Sequence, residues 1–144
     1  DWSDTATVLP ISILGCILIW LLSWRLNVLT LGDDEAKSLG INPEKNKLVL
    51  VLIATMITAV GVSTAGIIAW IGLMVPHLAR LIMGPDNRYL VPASSILGAV
   101  VLILCDTISR NLTVGEIPVG IVTSVVGAPY IVFLIKSKRK AFFG

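Results

Sequence analysis

Apolar residues fall into five long runs separated by short polar turns: roughly Leu9–Leu29, Leu48–Ala65, Ile67–Gly84, Tyr89–Arg110 and Ile117–Ile135. Each is close to the ~20 residues that a helix rising 1.5 Å per residue needs to cross hydrocarbon. The pattern predicts an all-α fold, a polytopic transmembrane helical bundle of about five spans. Pro10 suits the first turn of the first helix. Trp20, Trp24 and Arg25 mark its far end, where indoles favour the headgroup boundary and a long basic side chain reaches out of the lipid. After that span, Gly32-Asp-Asp-Glu-Ala-Lys-Ser-Leu-Gly40 reads as a short capped helix. Asp33 is expected as its N-cap, acids fill its first turn, and Gly40 stops it in the left-handed conformation. Asn42-Pro43-Glu44 opens the next segment.

The stretch between Lys47 and Arg80 decides the topology. Its length is too great for one span and barely enough for two, so two short helices joined near Gly61–Gly66 are expected. One long tilted helix would instead reverse everything downstream. Gly61, Ser63, Ala65, Gly66, Ala69 and Gly72 would let the two helices approach closely. Gly84-Pro-Asp-Asn-Arg88 has turn chemistry, and Asp106 and Arg110 lie four apart on one helical face. Thr113–Gly120 reads as a short helix or turn on the outer side. Gly127-Ala-Pro129 should kink the last span or free backbone carbonyls for a protein-lined or water-lined path. The chain contains no tandem repeat.

Charge then orients the bundle. Alternate threading puts Arg25, Lys37, Lys45, Lys47, Arg80, Arg88, Lys136, Lys138, Arg139 and Lys140 on one side and leaves Arg110 on the other. Positive residues mark the cytoplasmic face, so a multi-pass protein of the cytoplasmic membrane with its C-terminus inside is expected. The 14% charge and mean hydropathy of +0.92 leave no room for a soluble domain, where charged residues make up about a quarter. Residues 1–144 therefore form a single transmembrane region. The net charge of +2 carries no argument for nucleic acid. Cys16 and Cys105 are isolated in apolar runs, giving neither a disulfide framework nor a metal cluster. The start, Asp1-Trp-Ser-Asp-Thr, lacks the basic region of a signal peptide. An acidic start on the outer side, with no helix to deliver it there, leads us to expect a longer parent chain.

Candidate chemistry is sparse. His77, the only histidine, has no nearby partner in sequence and reads as a packing residue near the inner boundary, a proton-relay or metal role being the sharper alternative. Nothing positions a base beside Ser63, Ser94, Ser95 or Ser124, so an enzyme is not expected. There is no GxxxxGK[ST], so nucleotide chemistry must come from a partner. Asp106 and Arg110 make either a local ion pair or a docking point for an acidic outer partner. Glu116 either sits favourably before a helix N-terminus begun by Pro118 or shares that docking. The acidic helix carries Leu31, Ala36, Leu39 and Ile41 on one face and Asp33, Asp34 and Glu35 on the other. A helix lying on lipid would want lysine or arginine on its polar face, so a protein partner fits better.

Four blocks in fixed order carry a resemblance. They are Leu31-Gly-Asp-Asp-Glu-Ala-Lys-Ser-Leu-Gly-Ile41, Ala65-Gly-Ile-Ile-Ala-Trp-Ile-Gly-Leu-Met-Val-Pro-His-Leu-Ala-Arg80, Asp106-Thr-Ile-Ser-Arg110 and Gly115-Glu-Ile-Pro-Val-Gly-Ile-Val-Thr-Ser-Val-Val-Gly-Ala-Pro129. From about Arg25 to Lys138 the chain resembles the permease subunit of ABC importers for iron–siderophores, haem, cobalamin and related metal chelates. The resemblance implies the C-terminal half, helices six to ten, of a ten-helix permease. It implies that Asp33, Asp34, Glu35, Ala36, Lys37, Ser38, Leu39 and Gly40 form the coupling helix seated in a cytoplasmic ATPase, although Lys37 and the early Gly40 depart from the importer pattern. It implies that Arg110, with Glu116, docks an extracytoplasmic substrate-binding protein, and that Thr123, Ser124 and Gly127 line the translocation path at a dimer axis.

The implied partners are therefore an ABC ATPase, the binding protein, a second permease copy and the bilayer. No cofactor or metal is bound directly, and ATP is used by the partner. The competing class is a secondary transporter or channel with no ATPase. Such proteins place ionisable groups near the midplane, whereas Asp106 lies near a boundary. An iron–siderophore is the expected cargo only because it is the commonest in the group.

Overall fold

The structure, a computed structural model, describes residues 2–68, 70–112 and 118–143. Among these described residues seven helices follow in order: α1 (Trp2–Leu21), α2 (Ser23–Leu29), α3 (Asp33–Ser38), α4 (Pro43–Ala65), α5 (Ile71–Met83), α6 (Asn87–Leu112) and α7 (Val119–Phe143). Four of them, α1, α4, α6 and α7, are long and apolar enough to cross a membrane. They expose most of their large apolar side chains, Leu14, Leu52, Met56, Ile103 and Phe133 among them. In water that would be unstable, whereas lipid tails cover such a surface at no hydrophobic cost.

The expected fifth span takes a different form. At 13 residues α5 rises only about 20 Å, short of the ~30 Å hydrocarbon thickness. The chain nevertheless passes from one end of the bundle to the other between α4 and α6. Ala65 shares an open cleft with Asp106 and Pro118 at one end of the bundle, and α5 runs down to a turn that meets α1 and α2 at the other. The missing length comes from the connection before α5. There Ile67 lies against Gly120 and Trp70 against Gly127. Ile67 and Trp70 thus lie against positions about two helical turns apart at the start of α7.

One boundary expectation fails and another holds, each for an identifiable reason. The first helix begins at Trp2 and runs through Pro10, which is an interior residue and not a start. It gives way to α2 at Leu22, where the backbone bonds Leu22 N–H to Leu18 O and Leu26 N–H to Leu22 O continue almost unbroken. The α4–α5 joint falls at Gly66, within the expected Gly61–Gly66, although α4 itself is longer than the short helix expected. Asn42 caps it by accepting from the Lys45 N–H at 3.2 Å, Pro43 is its first-turn residue, and so it starts ahead of the apolar run.

The small residues near this joint do not hold α4 to α5. A side-chain carbon at Gly61, Gly66 or Gly72 would meet nothing within 4 Å. Gly66 ends α4 at φ 76°, a left-handed value that favours glycine. Instead α4 packs on α1, and α5 packs on α6 and α7. The close approach of α1 and α4 occurs at Gly15, where an added carbon would strike the Ile57 side chain. On α5, Ile71, Met74, Val75 and Ala79 recur at helical spacing and are buried.

Gly15→Leu should force α1 and α4 apart and lower stability by about 1–3 kcal/mol, the usual cost of overpacking. Thermal unfolding of the membrane protein in detergent checks this, and Ile57→Ala in the same chain should recover part of the loss.

Candidate functional site

The acidic helix lies at the end of the bundle where α2, α4 and the α5–α6 turn meet. It spans only Asp33–Ser38, and its cap is not Asp33. Gly32, at φ 124°, takes the N-cap position and accepts from the Ala36 N–H at 3.0 Å. Asp33, freed from capping, pairs with Lys47 at 2.7 Å and so ties α3 to the start of α4. Its exit is a Schellman motif. The Ile41 N–H donates to Ala36 O at 2.9 Å and the Gly40 N–H to Lys37 O at 3.0 Å, with Gly40 at φ 78°. The apolar contact that accompanies this motif is present, since Ala36 and Ile41 form a small core with Val28.

That core corrects the expected one-sided face. Ala36 is wholly buried and Ile41 nearly so, while Leu31 and Leu39 are 61% and 57% exposed. The apolar residues therefore point in two directions. One pair fixes α3 to its own stem, and the other stands out beside the exposed Asp34 and Glu35. Lys37 and Ser38 are exposed as well, and the Ser38 hydroxyl donates to Glu35 O at 2.7 Å. The Arg25 guanidinium donates to Asn46 Oδ1 at 2.9 Å, adding a second tie between α2 and α4.

A polar cluster that sequence reading missed lies next to this block. Asn27 Nδ2 donates to Asp86 Oδ1 at 2.6 Å, and Asn27 Oδ1 accepts from both Asn87 N–H and Nδ2 at 2.8 Å. Asp86 also accepts from the Arg88 N–H at 3.0 Å, which makes it the N-cap of α6. The Trp20 indole donates to Arg88 O at 3.2 Å, so this ring is held by the turn as well as suited to a boundary. The Arg88 N–H bond first, then the Asn27 amide, hold the Asp86 carboxyl below its ordinary value of 3.8. The available signal was Asn27 itself, an amide inside an apolar run, which must find partners.

At the opposite end, Asp106 and Arg110 form the i,i+4 pair, Arg110 Nε to Asp106 Oδ2 at 2.9 Å, and Arg110 remains well exposed. Thr64, Ala65, Ser109, Pro118 and Val119 complete a cleft of about 530 Å³ around them. Glu116, and with it residues 113–117 of the expected outer helix, lies outside the described residues. On α7, Thr123 is buried with its hydroxyl donating to Gly120 O at 3.0 Å, and Gly127 is covered by Trp70. Ser124 is half-buried and donates to the same carbonyl at 2.7 Å. The helix runs on through Pro129 without a break.

Trp70 was equally invisible in sequence: it sits at φ 70°, an outlier for a bulky residue, with its carbonyl accepting the first bonds of α5. His77 meets Tyr130 edge-on at 6.4 Å between ring centres, as a packing histidine does. Among the described residues no group of histidine, cysteine or acidic side chains is placed to hold a metal.

A sequence profile of the FecCD transport family matches residues 1–137. The chain belongs to the FecCD transport family. Among its relatives, the cobalamin import system permease protein BtuC of Halobacterium salinarum is 38% identical over 96% of this chain and 37% of its own length. The hemin transport system permease protein HmuU of Yersinia pestis is 40% identical over 97% and 42%. The iron(3+)-hydroxamate import system permease protein FhuB of Bacillus subtilis is 39% identical over 96% and 36%. A solved structure assigned to a metal-chelate type of ABC transporter, in an inward-facing conformation, superposes with a TM-score of 0.90 at 32% identity. That match covers 95% of this chain and 44% of the other. The FecCD chain described here thus spans about two fifths of the length of the curated relatives it matches.

Protonating Asp86 should loosen the α5–α6 turn. Because its folded pKa is lowered, the stabilisation is fully present above pH 3.8 and is lost as pH falls through the lower folded value. Melting of the wild type and Asp86→Asn in detergent should differ by a constant amount above about pH 5, the gap closing only below about pH 4.

Proposed function

We propose that this FecCD chain is the membrane-spanning part of a permease subunit in a binding-protein-dependent ABC importer, passing a metal chelate across the cytoplasmic membrane. The observation that carries the reading is α3, a short helix fixed at both ends whose Leu31 and Leu39 project beside Asp34 and Glu35. A floppy loop would absorb a push from a partner. A helix locked by a Schellman exit, a buried Ala36–Ile41 contact and the Asp33–Lys47 pair transmits it. ATP hydrolysis then belongs to a separate ATPase subunit seated on α3, and this chain is not itself an enzyme.

The charge bias supports a cytoplasmic location for the α3 end and the C-terminus. Arg110, exposed at the opposite end despite its Asp106 partner, is the docking point for the binding protein. Two permease copies pairing along α7 would give the translocation path. Ser124 would face that path, with Thr123 and Gly127 as the contacts that seat α7 on its own chain. An iron–siderophore is the proposed cargo, although the relatives' names span cobalamin, hemin and iron(3+)-hydroxamate. Selection among them would rest with the binding protein. The alternative of a secondary transporter has lost its support, because the relatives are permeases of import systems and the matching solved structure is assigned to an ABC transporter.

Asp34→Lys with Glu35→Lys and Leu39→Ala, in the full-length protein, should weaken ATPase association at least about tenfold, or ~1.4 kcal/mol, and abolish uptake. Co-purification and vesicle uptake measure both, and unchanged values would defeat the coupling role. Arg110→Glu should weaken capture of the binding protein by about tenfold while leaving the ATPase complex intact. Equal affinity in a surface-binding assay would remove the docking role.

A further inference from the structure

We propose that Asn27 is a positioning residue for transport, joining the stem of α3 to the α5–α6 turn so that displacement of α3 moves α5, α6 and α7 together with α4. The inference rests on the coupling role proposed for α3. Helix α1 packs most on α4, and α5 packs on α6 and α7, while α1 and α2 both lie against α6 and join the two groups. Helix α3 reaches the first group directly, through the chain itself and the Asp33–Lys47 pair. Its shortest route to the second is α2, its neighbour in the chain, which lies against α6 beside the α1–α6 contact. At that crossing the bonds from Asn27 to Asp86 and Asn87 form the polar joint, with the Trp20–Arg88 bond beside it.

The joint needs an amide. The same side chain must donate to a carboxylate and accept from two N–H groups, which asparagine does and neither aspartate nor leucine can. Apolar side chains in contact slide past one another at little cost. A partly buried hydrogen bond to an ionised carboxylate resists both sliding and separation, and is about twice as strong as a neutral one. Asp86 is moreover the N-cap of α6, so the pull is applied to the helix backbone and not to a loose side chain. Lys47 and Arg25 make no comparable link, since both tie α4 to α2 or α3.

The test uses the full-length permease with its ATPase in proteoliposomes. Uptake per ATP hydrolysed is measured with whichever of iron(III)–hydroxamate, haemin and cobalamin the wild type takes up. Asn27→Ala should lower uptake per ATP about tenfold, the lower end of the scale for one lost hydrogen bond to a charged group, while ATPase binding and ATP turnover persist. Asn27→Asp should be at least as impaired, because it sets two carboxylates against each other. Asn27→Asp combined with Asp86→Asn rebuilds the pattern with donor and acceptor exchanged, and should return to within about twofold of wild type. Wild-type uptake per ATP in Asn27→Ala, or a double variant no better than Asn27→Asp, overturns the proposal. If Asn27→Ala does not assemble, the double variant decides by the same criterion. Absence of ATP-driven uptake in the wild type would instead overturn the importer reading itself.

Discussion

Inside hydrocarbon a peptide group has no water to bond, so each N–H and C=O must find its partner within the protein. This constraint shapes the whole chain. It explains why four crossings are uninterrupted helices that tolerate Pro10, Pro92 and Pro129 in their interiors. It also explains why the backbone at Ile67 and Trp70, on the approach to α5, lies against α7. Glycine at 120 and 127 lets that backbone come close, since any side chain there would collide with Ile67 or Trp70.

Around the crossings the polar groups are concentrated at the two ends, and they do different work. The α3 end is a dense web. Asp33–Lys47, Arg25–Asn46 and the Asn27–Asp86–Asn87 cluster join elements distant in sequence, and each link is a directional bond. The Asp106–Arg110 pair at the other end lies within one turn of one helix and links no two elements. One end is thus cross-linked into a block, and the other leaves a charge exposed.

The five runs, the acidic helix and the Asn42–Pro43 start were legible in sequence because they follow from hydrophobic length and from residues with a single backbone preference. Pro10 misled because proline marks a helix start in water, yet a helix already formed in lipid can pass through it. Asp33 misled because a good capping side chain next to a glycine does not say which of the two will cap, and its pairing with Lys47, 14 residues on, settled the matter. Gly61, Gly66 and Gly72 looked alike, but only Gly66 has a conformational task. Asn27 and Trp70 lay beyond reach because their roles depend on Asp86 and Gly127, each more than 50 positions away.

The indole seated over Gly127 has a mechanical consequence. Its ring sits on α5 at a strained backbone, packed into a notch on α7. A knob so placed blocks rotation of α7 about its own axis, because the flanking side chains would ride up over it. Leaning as a rod, with α5 carried along, disturbs the notch far less. The freedom left to the last helix is therefore to swing, not to spin.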